Sequence, residues 1–467
     1  FVKVAEALHI QNTNIYQYHG EGGHLTIEDV ANRQTDVKVA YCNIAGNLNT
    51  NISTQVTNAE TVVLATQMDG DLAVTTHHTE GNFYIGSTDN DEVSIGRHLI
   101  LNTQTADYPK LQNIIFRGYE QSNISQAGPA SVVIEKLRTE KNDPHSYIVP
   151  QTNLYISGEM QFGSGIIKPN HPHKVIFTST SFISGMSSSS WVQGRVRKEG
   201  NNQFRFPVGG NSRQAPIDKT ATPNDVYRAF EAEFFEEDPT VAGFDTAQRQ
   251  SSLLKVSGVE YWELKQVEGP ANNDYKVTLQ YDTLRSQKAE AIYALRVATW
   301  HNNEWKNLGS TLVEAYGTEA FIQTPANAGQ YQLFSFGYAA VRLPVVTVGT
   351  LPDSVCRNIP LKIPLVLDTL MEGGNTFEVH LSQSNGSFDS YLKIGEKSGV
   401  TNSDSILCVI PNATAAGTGY KIRIVGKWPQ LLSVNTQSVT VITIPVQTPV
   451  IAGPLKVCLQ SGVAKYY

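Results

Sequence analysis

Cysteine is scarce, with four in 467 residues: Cys42, Cys356, Cys408 and Cys458. None has CxxC spacing, which argues against a structural zinc site. Charge is scarce too, at 17%. Asn, Thr, Ser, Gly and Gln fill the surface instead, a balance that suits an extracellular β-protein better than a helical cytosolic enzyme. The longest basic tip is Arg195-Val196-Arg197-Lys198, and the net charge is -7. Both argue against nucleic acid or an acidic membrane as partner. No apolar run approaches the roughly 20 residues that span a bilayer, so no membrane span is expected in this segment. GxSxG, HExxH, a P-loop and a GxGxxG in strand-to-helix context are all missing, so no catalytic residue, metal or cofactor is expected. The chain starts at Phe1 with neither Met nor a signal-peptide pattern, and reads as a piece of a longer secreted chain.

What is present is short strands. At this length two to four domains are expected. In residues 1–181 apolar triplets follow one another, from Leu25-Thr26-Ile27 to Val175-Ile176-Phe177. Three share a lead-in: Gly46-Asn47-Leu48, Gly70-Asp71-Leu72 and Gly96-Arg97-His98-Leu99. Their leucines lie 24 and 27 residues apart, and the later starts Val132, Leu154 and Val175 are 22 and 21 apart. A period in the twenties with polar turns predicts a β-solenoid, one coil per period. An ordinary β-sandwich with irregular loops is the alternative.

Residues 182–343 alternate more cleanly and read as an antiparallel β-sandwich. Strands end at Gly194 and start at Gln203, around a charged hairpin tip at Lys198 to Asn202. Phe230, Ala232 and Phe234 alternate with Glu231 and Glu233, which favours strand over an amphipathic helix from Asp225. His301-Asn302-Asn303-Glu304 reads as a four-residue hairpin loop. Residues 344–447 carry five short strands broken by Gly, Asn and Ser turns, the pattern of an immunoglobulin-like sandwich. Pro449 to Tyr467 echoes the start of that repeat, with Cys458 placed 102 residues after Cys356. Residues 448–467 therefore read as the start of a further repeat. The fold class expected is all-β throughout.

The words FISG, WVQGRVRKEGNNQFRFPVGGN, VSGVEYWEL, VTLQYD and LRVATWHNNEWKNLGS resemble a module of large Bacteroidetes surface proteins. The words GGNTFEVHLSQSNGSF, IGEKSG and AAGTGYKIRIVG resemble the Ig-like repeats of the same gliding-adhesin-like proteins. The resemblance implies a bridge between a β-helical region and tandem repeats, export by the type IX secretion route and display on the cell surface. It implies no catalytic residue.

Several side chains merit testing. Cys356 and Cys408, 52 apart, are compatible with an intersheet disulfide, or each is simply buried. Cys42 reads as a buried free thiol. Asp followed by Ser or Thr and a small or aliphatic residue occurs at Thr246, Thr283, Ser354, Thr369 and Ser405. That pattern is similar to the O-glycosylation signal of exported Bacteroidetes proteins. Trp300 and Trp305 flank the hairpin and are candidates for stacking on sugar rings, or cover the core edge. His77-His78 with His98, His171-Pro172-His173, Asp69-Gly70-Asp71 and Asp89-Asn90-Asp91-Glu92 carry metal-ligand chemistry but no recognised ligand spacing, and read as exposed loops. The acidic tract Glu231, Glu233, Glu236, Glu237 and Asp238 reads as an outer strand face, not as a glycosidase pair. Lys110, Arg117, Lys136 and Arg138 form a basic cluster along the solenoid.

The function expected is a non-catalytic, structural and adhesive rod outside the cell. Its partners would be other surface components or extracellular polysaccharide. The rivals are a β-helical polysaccharide lyase or hydrolase with accessory sandwich domains, and a carbohydrate-binding module.

Overall fold

In the computed structural model the chain forms two compact units, Phe1–Ala340 and Val341–Tyr467. The structure describes residues 2–4, 7–11, 14–15, 23–29, 36–52, 60–76, 82–87, 91–103, 109–128, 131–143, 145–186, 188–223, 225–286, 292–316, 319–340, 343–369, 375–427 and 430–443. The expected repeat start at 448–467 lies outside them. Among the described residues everything regular is strand, apart from one 3-10 turn at Ile292–Ala294.

The first unit begins as a β-solenoid. Eight parallel strands, from Val2–Val4 to Ile166–Ile167, stack in one sheet. The inward residues form columns. Leu25 pairs with Leu48, Leu48 with Leu72, Leu72 with Leu99 and Leu99 with Ile124. A second face stacks Val39, Val63, Ile85, Leu111, Ile134, Ile156 and Phe177 in the same way. A third stacks Ile44, Met68, Ile95 and Phe116. Alternation sets which side chains enter: Leu99, Leu101 and Thr103 are buried while Ile100 and Asn102 face out. Each fully buried Leu or Ile contributes about 1.5–3 kcal/mol. That contribution depends on the coils above and below, so the columns hold only as a stack.

The shared lead-in before each leucine is a corner device. Asn47 N–H donates to His24 Nδ1 (2.9 Å), Asp71 N–H to Asn47 Oδ1 (2.9 Å), His98 N–H to Asp71 Oδ1 (3.1 Å) and Asn123 N–H to His98 Nδ1 (3.0 Å). Each coil thus satisfies a backbone donor of the next where the strand ladder has a gap. The glycine beside it lets coils approach: a Cβ on Gly96 would lie 2.2 Å from the Asp69 carbonyl oxygen.

The solenoid does not stop near residue 181; its sheets and core run onward. Val196–Glu199 lies parallel to Val175–Phe177 and antiparallel to Ala229–Phe235. Tyr261–Glu268, Leu333–Tyr338, Leu295–His301 and Glu304–Asn307 then extend that sheet. Over it lies a five-stranded antiparallel sheet: Phe204–Phe206, Ile217–Lys219, Val277–Asp282, Glu319–Gln323 and Thr311–Tyr316. Tyr281 meets Phe336 across the two layers at 5.3 Å. One hydrophobic cluster runs from Leu25 to Tyr338.

Three local readings change. Val196–Glu199 and Phe204–Phe206 are not partners in a hairpin; the chain switches sheets between them. Lys198 is not a charged tip. It is 1% exposed, continues the column above Phe177, and its Nζ donates to the carbonyls of Thr178, Ser179 and Ser181. Burial draws its ammonium down to about 8. The loop at 301–304 is a two-residue turn, because His301 pairs with Glu304. Asn302 and Asn303 both have positive φ (55° and 58°), as a type I′ hairpin requires.

The second unit is a two-sheet, immunoglobulin-like sandwich. Val346–Val348, Pro360–Leu367 and Ser403–Val409 form one sheet. Ser354–Cys356, Gln437–Ile442, Gly417–Gly426, Thr376–Leu381 and Leu392–Ser398 form the other. Val355, Phe377, Val379, Ile406, Ile422 and Ile424 lie in its core.

Candidate functional sites

Cys356 and Cys408 are both free thiols. Strand alternation is the reason they do not pair. Val355 turns into the core, so Cys356 faces the other way and is only half-buried. Cys408 points inward from the opposite sheet, where a Cβ on Gly395 would meet its sulfur at 2.6 Å. Burial pushes that thiol up to about 12, so it is an inert packing group. Cys42 is also a buried free thiol, with its Sγ 3.2 Å from the Ala40 carbonyl oxygen.

Trp305 is fully buried and its indole N–H donates to the Phe244 carbonyl. It cannot stack on a sugar, and the sugar-platform expectation is corrected there. Trp300 is half-buried and packs edge-on to Trp305 and Phe244. Of the five Ser and Thr hydroxyl positions, Ser354 is exposed and Thr246, Thr283, Thr369 and Ser405 are half-buried.

The acidic tract is clasped by cations. Glu231 meets Lys174 at 2.5 Å, Arg195 meets Glu233 at 2.7 Å and Glu263 at 3.3 Å, and Arg197 meets Glu268 at 2.5 Å. These groups lie across the strands that join solenoid to sandwich, so the tract fastens the junction. Glu236 accepts from the Asn211 N–H. Tyr261 donates to Glu237 at 2.8 Å.

Along the solenoid, Arg117 pairs with Glu140 and Arg138 with Glu92 and Glu140. Lys110 sits over the Tyr84 ring. A shallow cleft of about 510 Å³ opens nearby, lined by Asp69, Arg97, Arg117, Tyr119 and Glu120, but Arg97 is taken by Glu120 at 3.1 Å. A second cleft, about 650 Å³, contains Phe182, Arg205 and Asp218. There Arg205 is spent on Asp218, with 2.8 Å at the closest approach.

His98 is a rung of the corner ladder. His77, His78, Asp89 and Asn90 lie outside the described residues. His171 and His173 are on a turn containing a cis His171–Pro172 bond. Among the described residues no group of three or more His, Cys, Asp or Glu could hold a metal ion.

A third cleft, about 830 Å³, was not visible in the sequence. It lies on the outer face of the larger sheet of the second unit. His380 stands directly opposite Arg423 on the neighbouring strand, and Glu378 opposite Val425. His380 is 3% exposed, stacks on Tyr391 at 3.8 Å and has its Nε2 3.0 Å from Glu378 Oε2. Glu378 also takes Lys427 at 2.9 Å. Burial alone would raise the Glu378 carboxyl, but hydrogen bonds from His380 and Lys427 outweigh it and hold it at about 2. Burial, aided by Arg423, draws His380 below its ordinary value against the pull of Glu378. The sequence signal was the alternation in FEVHL and YKIRI, but only the strand register shows that the outward residues meet.

No protein-family model matches the chain, and no curated protein or solved structure matches it significantly. The class defined by the fold is an all-β protein that begins as a β-solenoid and continues into β-sandwiches.

Proposed function

We propose that this chain is a non-catalytic, structural and adhesive segment of a large secreted or surface-displayed bacterial protein. The observation that carries the reading is the uninterrupted passage from solenoid to sandwich. One sheet and one core run through both, and Lys174, Arg195 and Arg197 clamp the joint to Glu231, Glu233 and Glu268. A joint of that kind transmits load along a rod without a hinge. The word resemblance to Bacteroidetes gliding-adhesin-like proteins supports type IX export and an outer-surface location. Other surface components or extracellular polysaccharide are the partners that fit this role.

The test is surface labelling of the source cells with an antibody to this chain, together with attachment assays on a deletion strain. Accessible label and lost attachment are expected. Label found only after cell lysis, or steady turnover of a uronic-acid polymer by the purified chain, would sink the proposal.

A further inference from the structure

The cleft on the second unit contains polar groups that the fold itself leaves unused. Arg423 lies over Phe388 at 4.2 Å and Tyr391 at 5.3 Å. Stacking fixes its guanidinium, yet no described residue pairs with it, and its buried Nε has no hydrogen-bond partner. His380, 3% exposed, also has an unpartnered atom, its buried Nδ1. Leaving such groups dry is unfavourable, and most so for a charged one. Two of them on directly opposed residues of one cleft therefore call for an explanation.

The tautomer identifies what is missing. Glu378 is ionised and can only accept, so His380 presents Nε2–H to it and keeps the lone pair on Nδ1. Nδ1 therefore seeks a donor. Arg423 seeks an acceptor, and its planar fork suits a carboxylate or phosphate. A phosphomonoester dianion has no donor on its phosphoryl group for Nδ1. A hydroxylated carboxylate offers both groups on neighbouring atoms.

We propose that this cleft binds a hydroxylated carboxylate of saccharide size, a uronic-acid unit of an acidic glycan. Its carboxylate pairs with Arg423, and a ring hydroxyl donates to His380 Nδ1. Lys427 is engaged by Glu378 at 2.9 Å and by Glu396 at 3.7 Å, so it fixes the Glu378 carboxylate and leaves Arg423 as the cation for the ligand. The proposal deepens the adhesive reading and rests on it for biological use only. Binding itself is measured on the purified chain, so its failure leaves the structural role standing.

The experiment is calorimetric titration of the full chain at pH 7 with trigalacturonate, its methyl ester and methyl phosphate. Trigalacturonate is expected to bind. The ester, which keeps every hydroxyl and loses the charge, should bind at least tenfold more weakly. Arg423→Gln should weaken trigalacturonate at least tenfold with an unchanged melting temperature. His380→Phe, which keeps a ring against Tyr391, should weaken it several-fold. The proposal is overturned if trigalacturonate does not bind, or if the ester or Arg423→Gln matches the parent pair. It also fails if methyl phosphate binds as tightly as trigalacturonate and His380→Phe changes neither, because only a general anion site would then remain.

Discussion

At the scale of single residues, the most exacting position is the Glu260–Arg285 pair. Both side chains are fully buried and 2.7 Å apart, with Arg285 also donating to the carbonyls of Gln214 and Gln280. Glu260→Gln leaves a buried guanidinium without its counter-charge. The expected cost is about 3–5 kcal/mol, read as a shift in the urea midpoint. Trp305→Ala should cost a similar ~3–5 kcal/mol through the cavity left in the core. If Trp305 were a sugar platform, the same variant would keep its stability and lose glycan binding. The His380–Glu378 couple makes the second unit acid-sensitive. His380 has a folded pKa below its ordinary 6.5, so the unfolded chain takes that proton first. Stability is then full above about 6.5 and falls as pH drops toward the folded value. Glu378 adds a second loss between about 4.5 and about 2. Urea midpoints against pH should show both, and Glu378→Gln should abolish the lower one. These residue-level facts were the least legible in the sequence. Cys356 and Cys408 had a plausible spacing, but spacing does not say which way a strand turns its side chains. His380 and Arg423 are 43 positions apart, and only strand register makes them neighbours.

At the scale of elements, the coil was legible because the same physical demand recurs over four successive coils. A leucine must enter the core, and the residue before it must offer an acceptor to the coil above. That demand shows in Gly-Asn-Leu, Gly-Asp-Leu and Gly-Arg-His-Leu. Gly23-His24-Leu25 is a further member, with its histidine in the same role as His98, whereas Asn123, before Ile124, closes the ladder by donating its N–H to His98. The ladder predicts that Asp71→Ala strands the His98 N–H and destabilises the first unit by roughly 1–2 kcal/mol, whereas Asp71→Asn, which keeps the oxygen, changes little. Thermal melts of the two variants provide the check. Equal losses would mean that the rung carries charge pairing with Arg97 and not the backbone bond. The sheet switch after Lys198 was not legible. A Lys in a run of Arg and Lys looks solvated until the column above Phe177 places it inside.

At the scale of the whole molecule, composition and strand spacing were enough to name the fold class, but not to place the packing boundaries. The strand patterns on either side of residue 181 differ, which suggested two bodies. The core is nevertheless continuous, since Val175, Phe177, Val196, Phe204 and Phe230 belong to one cluster. Cutting the chain between 181 and 182 should therefore leave two insoluble or molten fragments. Cutting it between 340 and 341 should give two that fold, each with its own cooperative melt. A well-folded 1–181 fragment, with dispersed amide resonances, would contradict the shared core.

The reversal at Ala229–Phe235 has a further consequence. A parallel stack is open-ended: any coil can template another, and duplication of a twenty-odd-residue unit lengthens it at little cost. The strand that runs the opposite way ends the parallel pattern: the next strand to join it, Tyr261–Glu268, pairs antiparallel and not as another coil. The strand that follows Val196–Glu199 therefore acts as a stop codon written in geometry. Duplication of a coil unit is therefore expected to lengthen the solenoid upstream of this strand, where every neighbour pairs parallel, while the sandwich end keeps its form.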